Sequence, residues 1–466
     1  MAAYGEHPDP GRTPVLDALA AEGVLFRHAW TNPVCSATRA SILTGRYAFR
    51  TGIGSFLGYQ DFTDLRDDEL SLADILPAGY ATAAVGKWHL ASVHDDPARH
   101  PLRLGFDHHR GSLTNFPDHD PTAYFSWPKN VDGVVGPCST YATTDTVDEA
   151  LALIAQFGAP PEPRPWFLWV AFNAPHKPYH APPAHLHSYD LPPLGSDDPL
   201  YMRALTEAMD TEIGRLLTGL DPAVRANTLI VFVGDNGTAQ SATTAPFVPA
   251  HAKGSTYEGG VNVPLIIAGP GVVAGGECTA LVNTTDLFAT VAGFVGVPSP
   301  AEDSVSLAPY LADPSAAPLR AWVYTEWFQP DLAELASTHR RAVRDARFKL
   351  RRGDTLTTVQ YEQLFDLAVD PFEQHDLLRA GNLGPAALAA RDQLRAVLAS
   401  LYRTTLVPDL DLIAVLPTDA VGGFSLDHAW PPGLPAGLAL YFQAWPLDAT
   451  APEGVSASNA LLAVTP

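Results

Sequence analysis

Thr228-Leu-Ile-Val-Phe-Val-Gly-Asp-Asn-Gly237 is the stretch that decides the fold class. Its apolar, β-branched first part reads as a buried strand, and the glycines beyond it mark a tight turn. Tyr80 to Val85, Trp166 to Phe172 and Val263 to Ala268 have the same form. Between these runs lie amphipathic segments. They are Thr13 to Glu22, where Pro14 suits a first turn; Ala37 to Thr44 before Gly45; Thr144 to Phe157 before Gly158; and Pro199 to Leu217 before Gly219. Buried strands alternating with helices predict a layered α/β protein built on a large, mostly parallel sheet.

The pattern changes after Ala312 to Leu319, a stretch rich in Pro and Ala that reads as a linker. Arg340 to Asp345, Phe348 to Arg352 and Gln363 to Leu367 read as antiparallel strands around turns, and Gly384 to Leu401 as a closing helix. From about Thr405 the chain is rich in Pro, Gly and Ala, with one clear strand, Leu438 to Trp445. The expected organisation is a larger domain over residues 1–312, a smaller α+β domain with an antiparallel sheet over 313–404, and a tail over 405–466. The tail's ending, with Ser456 to Ala460, looks like the closing strands of small β modules on secreted bacterial proteins.

The chain has 466 residues, enough to bury a sizeable core, and 46% of them are hydrophobic against 17% charged. That is the balance of a packed globular protein, not of a disordered one. A net charge of −22 argues against nucleic acid as a partner. It also means that an anionic substrate needs a local pocket of positive charge. No apolar run reaches the roughly 20 residues of a spanning helix. Cys35, Cys138 and Cys278 are too few for a disulfide framework. Met1 to Glu6 has neither part of a signal peptide.

In open α/β sheets ligands bind beyond the carboxyl ends of the strands. Here those ends carry chemistry. Tyr80 to Val85 runs into Gly86-Lys87-Trp88-His89, Trp166 to Phe172 into Asn173-Ala174-Pro175-His176, and Thr228 to Val233 into Gly234-Asp235-Asn236-Gly237. Asp235 and Asn236 offer hard oxygens that suit calcium or magnesium better than zinc. Alone, each piece is ordinary: Asp-Asn-Gly is good turn chemistry, and Lys87 with His89 is a common loop pair. Their arrival at one sheet edge is the signal.

His176 also opens a histidine-rich run through His180, His185 and His187. Pro178, Pro182 and Pro183 forbid the helix that would make these a zinc ligand pair, so they read as loop residues. Lys253 begins a glycine-containing loop without P-loop spacing, and Gly269-Pro270-Gly271 is a turn. Cys35 precedes a helix and Arg39 lies four residues on, so both can face an anion at the helix's amino end. A buried free cysteine is the plain alternative. Trp88 and Tyr179 fit either an aromatic or sugar contact or simple packing.

Together these segments resemble the sulfatase family. Cys35-Ser-Ala-Thr-Arg39 and the following Leu43-Thr-Gly-Arg46 are similar to its signature. Gly86-Lys-Trp-His89, Ala174-Pro-His176, Gly234-Asp-Asn-Gly237, Lys253-Gly through Glu258-Gly-Gly260 and Leu364 to Pro371 match its other motifs in order, over roughly residues 4 to 380. The resemblance implies an alkaline-phosphatase-like sandwich and a sulfuric ester hydrolase acting on aryl or carbohydrate sulfates. It implies that Cys35 is oxidised to formylglycine by a maturation enzyme, and that the hydrate attacks sulfur and then expels sulfate by regenerating the aldehyde. Arg39 and Lys87 would hold the hydrate and sulfate oxygens. His89 would assist elimination, and His176 and Lys253 would serve the leaving group. Asp235, Asn236 and the modified Cys35 would bind a divalent cation, calcium before magnesium. A sulfated small molecule or glycan is the implied substrate.

Departures from the family pattern bear on this. Ala37 stands where Pro is frequent and Asn262 where many relatives have Arg. Relatives also open with an apolar strand ending in two aspartates that complete the metal site. The expectation is that Met1 is an internal methionine of a longer product, with such a strand and an export signal upstream, and hence a periplasmic or extracellular location. Three rivals remain at this point: a phosphonate or phosphodiester hydrolase of the same superfamily, a catalytically silent sulfate- or glycan-binding relative, and a hydrolase using the Cys35 thiolate with a histidine.

Overall fold

The computed structural model describes residues 1–403 apart from 59–62, 93–95, 332–335, 356–358 and 382, and then 439–442 and 461–464. Met1–Thr405 form one compact unit and Leu406–Pro466 another. The first begins with β1 (Val24–Trp30), β2 (Ala81–Gly86), β3 (His108–Gly111), β4 (Trp127–Val131), β5 (Val134–Cys138), β6 (Trp166–Ala171), β7 (Ile230–Val233), β8 (Asn262–Ala268) and β9 (Gly276–Asn283). All four strands expected at the outset are present, with ends shifted by a residue or two.

Their arrangement is more mixed than expected. The strands form two sheets, ordered β7-β8-β1-β9 and β5-β4-β3-β2-β6. β2 pairs in parallel with β3 and β6, whereas β3 to β5 are antiparallel. In the other sheet β1–β9 is parallel, and β1–β8 and β7–β8 are antiparallel. One cause is local. Asp132-Gly133 joins β4 to β5 with φ of 51° and 95°, both in the left-handed region that a two-residue hairpin turn requires, and such a turn dictates antiparallel pairing.

β6 and β7 are edge strands, each paired on one side among the described residues. Phe167 and Trp169 of β6 and Val231 and Val233 of β7 lean on one core cluster that also holds Phe26, Ala84, Leu265 and Phe288. They are only half-buried, unlike the fully buried β2 between its two neighbours. Apolar residues on an uncovered edge invite a further strand.

The helices follow their sequence signals. Ala142–Phe157 lays Ala150, Leu153 and Phe157 against Ala81, Ala83 and Val85 of β2. Asp198–Gly219 starts where the Asp197 carboxylate accepts the Leu200 N–H at 2.9 Å. Cys35–Thr44 is buried along its whole length and stops at Gly45, whose φ of 69° only glycine adopts readily.

The antiparallel sheet runs β10 (Val323–Gln329), β11 (Thr338–Arg344), β12 (Phe348–Asp354) and β13 (Val359–Asp366), in that order. Helix Pro385–Arg403 covers it with Ala387, Ala390, Leu394, Leu398 and Leu401, one face at helical spacing. The same apolar cluster includes Val34, Ala37, Tyr47 and Phe49, so the sheet packs directly beside the Cys35 helix. The stretch expected as a linker is pinned: the Leu319 N–H donates to the Tyr310 hydroxyl at 2.6 Å. In the second unit β14 (Ala439–Phe442) pairs antiparallel with β15 (Leu461–Val464). The strand expected over 438–445 thus falls partly on described residues, whereas Ser456 to Ala460 lie outside them.

Candidate active site

Cys35 is the first residue of its helix, so its side chain stands where the unpaired N–H groups of the first turn favour negative charge. β1 delivers the chain to this point. It was not foreseen, because Arg27 and His28 interrupt an apolar run that would otherwise have read as a strand. The Cys35 sulfur is buried and lies 3.2 Å from His89 Nδ1. The other imidazole nitrogen, Nε2, donates to the Leu57 carbonyl at 2.8 Å. In the neutral ring that leaves Nδ1 as the acceptor facing Cys35.

Lys87 and His89 are placed by the end of β2. Gly86 pairs with Ala171 across the parallel ladder, and the Lys87 N–H continues it by donating to the Ala171 carbonyl at 2.7 Å. His89 adopts φ of 57°, a strained conformation for a residue with a side chain and one that clusters at functional sites. Beneath the turn Trp88 is buried, donating its indole N–H to His100 Nδ1 at 2.9 Å. Tyr179 is buried too. Both aromatics are therefore packing, not a substrate platform.

Arg39, one turn into the helix, donates from Nη1 to the Lys87 carbonyl at 2.7 Å and holds Nε 3.6 Å from the Asp235 carboxylate. Its Nε has no hydrogen-bond partner although it is buried. Asp235 and Asn236 leave β7 on the Gly234–Gly237 turn. The Asn236 amide donates to the Gly237 carbonyl at 2.9 Å, and its Oδ1 is buried without a partner. Arg39 Nε and Asn236 Oδ1 are each a buried polar atom without a hydrogen bond, the kind of group that a bound ligand satisfies. His176 donates from Nδ1 to the Lys177 carbonyl at 2.9 Å, which leaves Nε2 as its acceptor.

Electrostatics bring all these groups into one field. Burial pushes the Cys35 thiol up, but Lys87, His89 and Lys253 outweigh it and hold it well below its ordinary value. Burial draws Lys87 down to about 8, and Cys35 and Asp235 oppose that. His176 is depressed by burial and then by Lys253 and Lys87. Burial raises the Asp235 carboxyl, but Arg39, Lys87, Lys253 and His176 together keep it below the usual range. Cys35, Arg39, Lys87, His89, His176, Asp235 and Lys253 thus lie within one another's electrostatic reach, whereas Trp88 and Tyr179 pack inward. Against a chain of net charge −22, the site gathers Arg39, Lys87 and Lys253.

Other contributors carried no signal in the sequence. Thr31 donates to Thr38 at 2.8 Å and lies 3.3 Å from the Asp235 carbonyl, which ties the approach to Cys35 to the β7 turn. Hydroxyl residues are too common in loops for these two to stand out. Among the described residues no group of three or more His, Cys, Asp or Glu side chains could hold a metal ion. Asp235 and Asn236 fit two of the six to eight oxygens that calcium takes.

The sulfatase family model matches residues 1–297, and the model for the C-terminal part of N-sulphoglucosamine sulphohydrolase matches residues 250–399. The chain belongs to the sulfatase family. It is 34% identical to pig (Sus scrofa) N-acetylgalactosamine-6-sulfatase over 66% of this chain and 61% of that protein. It therefore spans about three fifths of the length of that relative. It is 29% identical to human arylsulfatase A over 86% of this chain and 85% of that protein. The crystal structure of Ps i-CgsB in complex with k-i-k-neocarrahexaose superimposes with a TM-score of 0.67 at 26% identity, covering 79% of this chain and 84% of that one. The fold is accordingly the alkaline-phosphatase-like sandwich of sulfatases, with the antiparallel sheet as its smaller part.

Proposed function

We propose that this chain hydrolyses sulfate esters, with position 35 as the nucleophile after conversion to formylglycine. The observation that carries the reading is the buried Cys35 side chain at a helix amino terminus, facing His89 Nδ1 inside a field of Arg39, Lys87 and Lys253. A formylglycine hydrate there would supply an attacking hydroxyl and a second one through which sulfate is released. Asp235 and Asn236 would hold a divalent cation, a hard one by their oxygens and calcium before magnesium by the family resemblance, which would supply further positive charge.

The remaining steps fall to the chain's own residues. The unpartnered Arg39 Nε and the Lys87 ammonium bind sulfate oxygens and stabilise the charge that builds on them. Nδ1 of His89, an acceptor directed at position 35, takes the proton when the second hydroxyl collapses. On the leaving-group side the His176 tautomer matters. Its Nδ1–H is committed to Lys177, so the neutral ring offers only an acceptor, and Lys253 is the better proton donor to the departing oxygen. An aryl or carbohydrate sulfate satisfies these contacts. The glycan bound by Ps i-CgsB, a relative above a quarter identity, favours a carbohydrate sulfate.

Among the described residues β6 and β7 are each paired on one side only, so either edge could accept a further strand. Among the described residues no helix is long and apolar enough to cross a membrane.

The test is turnover of 4-nitrophenyl sulfate against 4-nitrophenyl phenylphosphonate, in protein made with and without the formylglycine-generating enzyme. Sulfate turnover that depends on maturation supports the proposal. Preferential phosphonate turnover, or turnover indifferent to maturation, contradicts it.

A further inference from the structure

Lys349 is the largest charged group with no exposure at all, and it sits far in sequence from every residue assigned above. Burying an ammonium costs several kcal/mol unless it is paired and hydrogen-bonded. Here Nζ lies 3.0 Å from Glu258 and 2.9 Å from Glu373, with the Trp30 ring 4.7 Å away. Glu258 is satisfied on its other oxygen by Arg344 at 3.0 Å, and its backbone N–H donates to Glu373. Burial would raise the Glu258 carboxyl, but Lys349 and Arg344 hold it down to about 2, so it stays charged.

This cluster joins two parts of the fold. Lys349 is on β12 and Arg344 on β11 of the antiparallel sheet, whereas Glu258 ends the loop that starts at Lys253. The same sheet grips that loop twice more. Arg351 Nε donates to Thr256 at 3.1 Å, and the Tyr257 hydroxyl donates to Gln363 at 3.2 Å. From its other side the loop is stitched to the nucleophile and the metal turn. The Gly254 N–H donates to the Pro33 carbonyl at 3.0 Å, the Thr31 N–H to Val261 at 2.9 Å, and the Gly237 N–H to Gly260 at 2.9 Å. The Lys253 segment is thus clamped between the antiparallel sheet and the two turns that present Cys35 and Asp235.

We propose that Lys349 is a positioning residue: by bridging Glu258 and Glu373 it fixes the loop that carries Lys253 against the segment leading into Cys35. It touches no substrate. Its effect passes through Lys253, and this inference rests on the reading of Lys253 as a substrate-contacting group. The physical basis is that a long, flexible lysine acts in catalysis only when its stem is held, and small misplacements of a contacting group are costly in rate.

The experiment is a double-mutant cycle on the full, matured chain with the variants Lys349→Met and Lys253→Ala, read as kcat and KM for 4-nitrophenyl sulfate. The dissociation constant for inorganic sulfate, measured by calorimetry on unmatured protein, is a second readout that needs no turnover. Lys349→Met alone lowers kcat/KM by about tenfold or more and weakens sulfate binding, while adding less than about threefold to either effect in the Lys253→Ala background. Lys349→Arg, which keeps the bridging charge, recovers part of the loss. Equal losses in both backgrounds overturn the proposal, because they make Lys349 a matter of stability alone. If Lys349→Met does not fold, Glu373→Gln takes its place in the cycle under the same criterion. A Lys253→Ala protein with undiminished turnover and sulfate affinity instead overturns the reading of Lys253 itself.

Discussion

His89 Nδ1 lies 3.2 Å from the Cys35 sulfur and is free to accept from it, because Nε2 of the same ring is engaged by the Leu57 carbonyl. The ring is therefore held by one nitrogen and used through the other. His89→Gln removes the acceptor while keeping a polar side chain of similar reach. It should lower kcat for an aryl sulfate by about 10²- to 10⁴-fold, with KM changed far less, as expected of a lost proton acceptor. Steady-state kinetics on the matured protein check this, and a loss confined to KM would contradict it.

The turn that carries Lys87 depends on a glycine. Gly86 has φ of 85°, and a Cβ there would come within 2.1 Å of the Ala171 carbonyl oxygen, the acceptor that fixes Lys87. Gly86→Ala should cost about 2 kcal/mol or more, from strain and from the parted β2–β6 ladder. Thermal unfolding measures the loss, and an unchanged melting temperature would show that the ladder does not hold this turn.

Stability should also fall in mild acid. Burial depresses His109 to about 4 and His180 to about 4, while in the unfolded chain both titrate near 6.5. Between those values the unfolded chain binds protons that the folded one refuses. The folded state is thus favoured above about pH 6.5 and loses ground as pH falls toward 4, each unit being worth about 1.4 kcal/mol per histidine. His109 accepts from the Asn130 amide at 2.8 Å, so His109→Gln keeps a hydrogen-bonding side chain without the titration. Chemical denaturation at several pH values should show a shallower slope for this variant across that window.

Added calcium should raise the melting temperature of the wild type, through mass action on the folded state, and should do so much less in Asp235→Asn. Equal shifts in both proteins would remove Asp235 from the metal site.

Much of this is legible in the sequence alone. Lys87, His89, His176, Asp235 and Asn236 follow directly on apolar runs that punctuate cleanly, and strand ends of that kind are where α/β proteins place chemistry. What stayed hidden depends on geometry that periodicity does not carry. β1 was masked by Arg27 and His28, whose side chains are only half-buried and so break the apolar run. The mixed sheet follows from turns such as Asp132-Gly133, a two-residue signal inside a region with weak strand patterning. Trp88 and Tyr179 offered no hint of their burial, since an aromatic beside a catalytic motif reads the same whether it faces in or out. The Glu258–Lys349–Glu373 bridge joins positions up to 115 residues apart in sequence, and only the closed fold reveals it.

The account stands most directly on the chemical state of position 35. Mass analysis of the peptide containing Cys35, from protein made in a host with the maturation enzyme, measures it. The prediction is an aldehyde in place of the thiol, reactive toward hydroxylamine and accompanied by aryl sulfatase turnover. An intact thiol in protein that nevertheless turns over the ester would contradict it.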